Sequence, residues 1–564
     1  MKICKVNISN FRGIKSASIL LDGNVVFVGD NNSGKSTIFE AIDLVMGPER
    51  LSRRPVIDEH DFYAGEYLVN NIPIEIIVEV VIIGLNDEQL IHFGNHIEWW
   101  DTNSKSLLEG PPAKSTDSDN VVPALRLRFI GSYDAEEDDF IGQTYFSETL
   151  REGSQPELVR ARDKRKCGFL YLRTLRTGSR ALSLERGSLL DIILQLKEFR
   201  PQMWENVLSQ LKNVSVAGDP KLGIEEILTF VQASLSSLVS FESADKPQVR
   251  VSNLTREHLR KVLTVFMGTG TYCGDGTEYA TPYYHQGTGT INTLVLSLLA
   301  MIAKMKDNVI FAMEEPETAL PPHVQKRVVL SVIEKSTQAL FTSHSPYVLE
   351  EFPPENILTI AKDNGELRAV PAGIPPAVKP KKYRDEFRRR FCESLLARRV
   401  LITEGKTEYD VYTAAARKLQ EQHPDKSYAF ELLGISLVNA ETDTQIAPLG
   451  SYYTALNKTV YAVFDKQSND ASKEIRKNVD FAYEAEEHGI ENVVLKNIDF
   501  SVLLRYGLKL VAENEWPPHL RDQEPKSDMT ADELYDALFK FFKRSKGMGS
   551  LADLIEFCSE DEMP

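Results

Sequence analysis

Five cysteines in 564 residues, Cys4, Cys167, Cys273, Cys392 and Cys558, are too few and too scattered for a disulfide framework, and no C-x-x-C pair suggests structural zinc. A reducing compartment suits such a chain. Long apolar runs are also missing. The longest, Leu294 to Ile302, has Ser297 inside it and falls short of the ~20 residues that span a bilayer. The opening MKICKVNISNFRG has no apolar signal-peptide core. These features imply a soluble, unexported, cytoplasmic protein with no membrane partner. The third absence is an excess of positive charge. With 65 Lys and Arg against 82 Asp and Glu, the net charge of −17 excludes a protein that coats nucleic acid over its whole surface and leaves room only for local basic patches. Neither an internal repeat nor a sustained heptad run is visible, so solenoids and long coiled coils are excluded.

What is present is an ordinary globular composition, 42% hydrophobic and 26% charged, in a chain long enough for several domains. From Met1 to about Asn95 the pattern is strand-rich, with Val25–Val28 leading into a glycine turn and a β-branched run from Ile72 to Ile83. Residues 101–120 are polar and read as a long loop. Helical spacing then dominates, as in Leu189, Ile192, Ile193 and Leu196, and strand–helix alternation returns from Val309 to Val348. A Pro-rich connector, Pro371 to Pro380, precedes a second strand–helix series that opens at Arg399. These shifts divide the chain into a discontinuous α/β unit (1–181 and 268–375), a helical insertion (182–267) and a second α/β unit (390–564).

Gly29-Asp30-Asn31-Asn32-Ser33-Gly34-Lys35-Ser36 fits G-x-x-x-x-G-K-[ST] between a strand and the helical segment that begins at Thr37. Such a loop turns backbone N–H groups inward, places Lys35 on the β/γ-phosphates of ATP and offers the Ser36 hydroxyl to Mg²⁺. A second element lies 279 residues beyond Lys35, where the strand-like VIFAM ends in Glu314-Glu315-Pro316-Glu317. Glu314 is suited to the Mg²⁺ shell and Glu315 to accepting a proton from attacking water. His285-Gln286-Gly287-Thr288-Gly289 precedes a helix, and Phe341-Thr342-Ser343-His344 follows the next strand. His344 is placed to sense the γ-phosphate.

In the second unit, Val400-Leu401-Ile402-Thr403 ends at Glu404, with Glu408 in the first turn of the following helix. Thr459–Phe464 ends at Asp465. Two parallel strands would deliver these carboxylates to one sheet edge, and clustered hard oxygens suit Mg²⁺ or Mn²⁺. Lys546 could neutralise charge on a scissile phosphate. Nine Lys/Arg against three acids between Lys379 and Arg399, and a second basic stretch from Arg160 to Arg180, are local sites where DNA could bind.

The first set of motifs, with Asn10-Phe11-Arg12-Gly13, resembles the ABC-type ATPase heads of the RecF, SMC and OLD (overcoming lysogenization defect) families. The second series resembles a Toprim domain, and a head followed by Toprim is the arrangement of the OLD nucleases. The resemblance implies an α/β fold: an ABC-type P-loop ATPase domain with a helical dimerisation insertion, then a Toprim α/β domain. It adds Arg12 and Gly29 to Thr37 as the nucleotide site. It also implies a signature loop at Thr288-Gly289 that reaches the nucleotide of a neighbouring copy, hence a homodimer at least. It matches Glu404, Glu408, Asp465 and Lys546 to the nuclease site, with Asp499 or Ser501 aligned to a later acidic element. The implied activity is nucleotide-regulated, metal-dependent DNA cleavage in anti-phage defence, with a helicase, a reverse-transcribed DNA or another defence component as the class of partner. Three departures stand out: no Q-loop glutamine, with His60 or Asp61 nearest; Thr-Ala-Leu-Pro-Pro after Glu317 in place of Leu-His-Pro; and Gln467 in place of the second Asp of D-x-D. The last supports a rival reading, an ATP-gated DNA- or partner-binding scaffold whose Toprim domain no longer cuts.

Overall fold

The computed structural model describes residues 1–48, 56–110, 120–151, 153–172, 182–185, 188–197, 199–212, 224–238, 255–305, 309–318, 320–375, 388–544, 550–559 and 562. Val25–Val28 lies inside the larger sheet, fourth from one edge. All four of its side chains are buried, which requires cover on both faces, as parallel strands have. It lies between Gln338–Thr342 and Ile357–Asp363, and the parallel set continues outward through Ile310–Glu314 to Phe169–Leu172. In the other direction this 13-stranded sheet becomes mostly antiparallel, through Glu366–Pro371, Ile14–Leu20, Lys2–Phe11, Ile76–Ile83 and Val121–Asp134.

The β-branched run from Ile72 to Ile83 forms two strands, because Pro73 has no N–H to continue a ladder. Ile72–Pro73 closes a small hairpin with Leu68–Val69 across Asn70 and Asn71, both at positive φ, as a two-residue hairpin turn requires. The expected loop at 101–120 is corrected in part. Ser106–Leu108 pairs with Ile97–Asp101, and Leu107 packs on a small core of Cys4, Val81, Trp100 and Ala124; residues 111–119 lie outside the described set.

Polar side chains fix the central strands in register. Gln338, fully buried, accepts from the Ile3 N–H at 2.7 Å and donates to the carbonyls of Ile3 and Gly23 at 2.9 and 2.8 Å. Asn24 accepts from the Ala339 N–H at 2.8 Å. Four helices, Leu189–Leu196, Arg200–Lys212, Ile224–Leu238 and Arg256–Val262, lie in sequence between the outermost parallel strand and an exposed hairpin of Phe266–Tyr272 with Glu278–Pro282.

The second sheet has four parallel strands in the order Ile435–Asn439, Arg399–Thr403, Thr459–Phe464, Phe481–Glu484. The helices Ile490–Asn497, Phe500–Ala512, Ala531–Arg544 and Ser550–Phe557 share a further apolar core with the helix Lys406–Gln422. The two sheets do not float apart. One apolar core includes Val26 and Phe341 of the first and Val400 and Val460 of the second, with Phe391 of the helix Arg388–Leu396 between them. Among the described residues, no helix is long and apolar enough to cross a membrane.

The helix that follows the glycine turn, Lys35–Met46, ends against a fully buried lysine: Lys164 Nζ donates to the Leu44 carbonyl at 2.8 Å. A cation at a helix C-terminus is favourable, but burial pulls its pKa down to about 7. The folded state therefore releases this proton before the unfolded chain does, so stability rises with pH between about 7 and 10. Against Lys164→Met, the wild type should gain about 1 kcal/mol per pH unit over that window. Urea unfolding of both proteins at pH 7.5 and 9.5 tests this; parallel pH profiles would exclude Lys164 as the cause.

Candidate functional site

Because the five parallel strands end on one edge, their following loops converge there. After Val25–Val28 the chain turns at Gly29, where a Cβ would stand 2.6 Å from the Ile360 carbonyl oxygen. Gly34, at φ +101°, opens the helix, so no side chain hinders the last turn of the loop. Lys35 Nζ donates to the carbonyls of Gly29 and Asp30 at 2.7 and 2.8 Å. Burial lowers its pKa, opposed by Asp30, Glu315 and Glu317. The Ser33 hydroxyl is buried and has no hydrogen-bond partner among the described residues, while Asn31, Asn32 and Ser36 are exposed and Thr37 lies half-buried in the first helical turn. An orphaned buried hydroxyl beside a folded-back lysine and a free helix N-terminus fits a bound phosphate chain.

Ile310–Glu314 and Gln338–Thr342 bring the second and third elements to the same edge. Glu314 accepts from the Tyr171 hydroxyl at 2.5 Å, a partner the sequence pattern does not mark. Glu315 sits at φ +44° and donates its N–H to the Thr342 carbonyl at 2.9 Å. Left-handed backbone in a glutamate costs on the order of 1–3 kcal/mol and is characteristic of working sites. Glu317 accepts the His344 N–H at 2.6 Å. Burial, then Lys35, lowers the His344 pKa. Lys35, Glu315, Glu317 and His344 thus share one electrostatic neighbourhood. Arg12, at φ +51°, spans Asp61 and Glu40: its Nε donates to Asp61 at 2.7 Å and its Nη1 pairs with Glu40. Thr288 and Gly289 open the helix Thr288–Met305, and the Gly287 and Gly289 carbonyls are bonded within that turn.

On the second sheet, Arg399–Thr403 and Thr459–Phe464 pair in parallel, Thr403 beside Val463, so Glu404 and Asp465 leave the sheet side by side. The Asp465 N–H donates to Glu404 at 3.3 Å. Glu408 folds back over the turn, its Oε2 only 2.6 Å from where a Gly405 Cβ would stand. Burial raises the Glu404 pKa, and Asp465, Glu408 and Asp443 raise it further. Asp465 is held by the Gly489 N–H at 2.7 Å. Glu484, which ends the neighbouring strand, accepts from the Gln467 N–H at 3.0 Å and the Ser472 hydroxyl at 2.7 Å. The strand-plus-acid pattern of Phe481-Ala482-Tyr483-Glu484 is the signal by which Glu484 is recognisable. The donor set is chemically right for a hard divalent cation. Among the described residues no three His, Cys, Asp or Glu side chains converge as a ready cage. Asp499 is the N-cap residue of Phe500–Ala512. Lys546 lies outside the described residues, as do Lys379, Lys381, Lys382 and Arg384 of one basic stretch and residues 173–180 of the other. Within the remainder, Arg389 pairs with Glu350 at 3.4 Å and lies over Tyr347, and Arg398 faces Asp30 at 3.7 Å.

Residues 1–165 and 178–349 match the model of the AAA ATPase domain, and residues 395–466 match that of the overcoming lysogenization defect protein-like TOPRIM domain. No curated protein matches the chain. Solved structures with a distant likeness are SMC heads. One, an SMC head bound to the C-winged helix domain of ScpA, is 14% identical at TM-score 0.35, covering 66% of this chain and 98% of that one. The head domain from Thermotoga maritima is 12% identical at 0.30, with 66% and 100% covered. A head with an extended coiled coil bound to the C-terminal domain of ScpA, derived from Pyrococcus furiosus, is 13% identical at 0.34, with 65% and 95% covered.

Glu317 yields a prediction of its own. Its pKa is raised by burial first and by Glu315, so the folded state holds its proton longer than the unfolded chain. That contribution is intact at low pH and is lost as pH rises through the folded pKa. Glu317→Gln keeps an acceptor for the His344 N–H and cannot ionise. In nucleotide-free protein it should raise the unfolding temperature by a few degrees at pH 8, about 1 kcal/mol, and by less at pH 5. Scanning calorimetry at both values tests this, and an equal or reversed effect would refute the assignment.

Proposed function

We propose, for a chain that belongs to the AAA ATPase domain family and carries the ATPase-plus-TOPRIM architecture of OLD-family nucleases, that it is a nucleotide-regulated, divalent-metal-dependent DNA endonuclease acting in anti-phage defence. The observation that carries this reading is the pairing of two adjacent strand ends, Glu404 and Asp465, with a phosphate loop of the right pattern in the same chain.

In the nucleotide site, Lys35 and the loop N–H groups from Gly29 to Lys35 would hold the phosphates of ATP. Ser36 and Glu314 would hold Mg²⁺, with the Tyr171 hydroxyl fixing one Glu314 oxygen. Glu315 would accept a proton from attacking water, and His344, fixed through its backbone by Glu317, would sense the terminal phosphate. Thr288 and Gly289 would complete the site of a neighbouring copy, which makes the working form a homodimer or a higher oligomer. In the TOPRIM site, Glu404, Glu408 and Asp465 would hold Mg²⁺ or Mn²⁺. A cation bound there lowers the pKa of water and offsets charge on the scissile phosphate. Gly489 restrains Asp465 from the far side, and Lys546 adds positive charge at the phosphate. DNA is the proposed substrate.

Gln467 favours a second reading, a nucleotide-gated scaffold that binds DNA or a partner without cutting, because one carboxylate fewer weakens a second cation site. Plasmid cleavage with Mg²⁺, Mn²⁺ or Ca²⁺ separates the two. The nuclease reading expects wild-type cleavage and a loss on the order of 100-fold in Glu404→Ala. It also expects Lys35→Ala to abolish the response to ATP while leaving a folded chain. Cleavage that survives Glu404→Ala would move the activity elsewhere, and ATP binding without cleavage in any metal would establish the scaffold.

A further inference from the structure

The phosphate loop and the TOPRIM sheet touch at Asp30. The Asp30 carbonyl accepts from Lys35, inside the loop. Its carboxylate points the other way, 3.7 Å from Arg398 Nε. Arg398 is the residue immediately before Arg399–Thr403, the strand that delivers Glu404. Lys458 stands immediately before Thr459–Phe464, the strand that delivers Asp465. Its ammonium donates to the carbonyls of Leu395 and Ala397 at 2.8 and 2.5 Å, which ties the end of the helix Arg388–Leu396 to the start of that strand. Burial lowers the Lys458 pKa to about 8, and the charge that opposes this is again Asp30. One carboxylate of the phosphate loop therefore meets the residue that opens the Glu404 strand, and Lys458, which opens the Asp465 strand, is tied to the backbone just before that residue.

The strands start level, Arg399 beside Thr459, and stay in register to Thr403 beside Val463, one residue short of Phe464. At about 3.3 Å per residue they span roughly 15–20 Å between the two edges. Both are central in the sheet, hydrogen-bonded on both sides, so they transmit displacement rather than absorb it. On this geometry, and resting on the reading of both sites given above, we infer that Asp30, Arg398 and Lys458 form the contact through which nucleotide bound at the phosphate loop alters the setting of Glu404 and Asp465. The physical origin is competition for Lys35. A phosphate that recruits the Lys35 ammonium takes it from the Gly29 and Asp30 carbonyls, and the Asp30 peptide turns with the loop. Its carboxylate then leaves or tightens on Arg398, which follows the Ala397 carbonyl that Lys458 holds. The Asp30–Arg398 pair is largely exposed, and such pairs are weak, so the coupling is graded rather than all-or-none.

Amide hydrogen exchange on the full-length protein tests this without depending on cleavage. Saturating Mg-ATP, or a non-hydrolysable analogue, should change exchange in peptides covering 399–408 and 459–467 of the wild type by about fivefold. Arg398→Glu should bind a fluorescent ATP analogue as the wild type does and lose that change, Arg398→Lys should retain most of it, and Lys458→Met should lose it if folded. A response that persists in Arg398→Glu, or no response in the wild type at saturation, overturns the inference. Cleavage measured beside it separates the two claims: exchange coupling without cleavage sinks the nuclease reading alone. Cleavage whose dependence on ATP is the same in wild type and Arg398→Glu sinks the coupling alone.

Discussion

Parallel strands in one sheet must all end on the same edge, and that constraint organises the functional residues of this chain. Val25–Val28, Ile310–Glu314 and Gln338–Thr342 are each wholly buried, so none can leave the sheet centre without exposing β-branched and aromatic surface to water. Their common edge gathers Lys35 with Glu314 and His344, which lie hundreds of residues beyond it in sequence. Gln338 makes the gathering specific. A buried amide that satisfies the Ile3 and Gly23 backbone would leave unpaired polar groups on any slip of register. The apolar pattern sets which strands are central, and the buried polar contacts set how they align.

The second sheet repeats the logic with four parallel strands and pays for it in charge. Asp465, Glu408 and Asp443 each push the Glu404 pKa upward, and Glu315 does the same to Glu317 in the nucleotide site. Nothing in folding favours such gatherings of like charge, and local rules are broken where a site needs them. The strained backbone of Glu315 belongs with these departures. Neutral donors hold acids in both sites: the Tyr171 hydroxyl on Glu314, the Gly489 N–H on Asp465 and the His344 N–H on Glu317.

The sequence showed the phosphate loop plainly because every part of it is local: strand, glycines, lysine and helix lie within a dozen residues. Glu314, Glu404 and Asp465 were legible for a related reason, since an apolar β-branched run that ends in an acid marks the carboxyl edge of a strand. The partners of these groups were not legible. Tyr171 lies 143 positions from Glu314, and nothing in Phe169–Leu172 distinguishes its hydroxyl from that of any strand tyrosine. Arg12 carried a motif, yet its clasp between Asp61 and Glu40 depends on how three elements meet. The hairpin of Ile97–Asp101 and Ser106–Leu108 was hidden because its polar turn residues outweigh Leu107 and Leu108, whose burial only tertiary packing supplies. The basic stretch before Arg399 read as a surface for DNA. Within it Arg389 and Arg398 also face carboxylates of the same chain, contacts that charge counting does not reveal.

A fixed junction and a weak ion pair serve different ends at the place where the two sheets meet. The apolar core that runs from Val26 and Phe341 through Phe391 to Val400 and Val460 makes rigid-body separation of the sheets expensive, since close-packed interiors do not deform continuously. Motion at the junction is thereby restricted to its polar margin, where Asp30, Arg398 and Lys458 lie. A buried ion pair at that point would lock the loop, because breaking it leaves an uncompensated charge. An exposed pair of small net value can form and part as the loop changes its own hydrogen bonds. A stiff core beside a soft contact is the combination that lets a local event at one sheet edge bias residues at the far edge without unfolding anything between them.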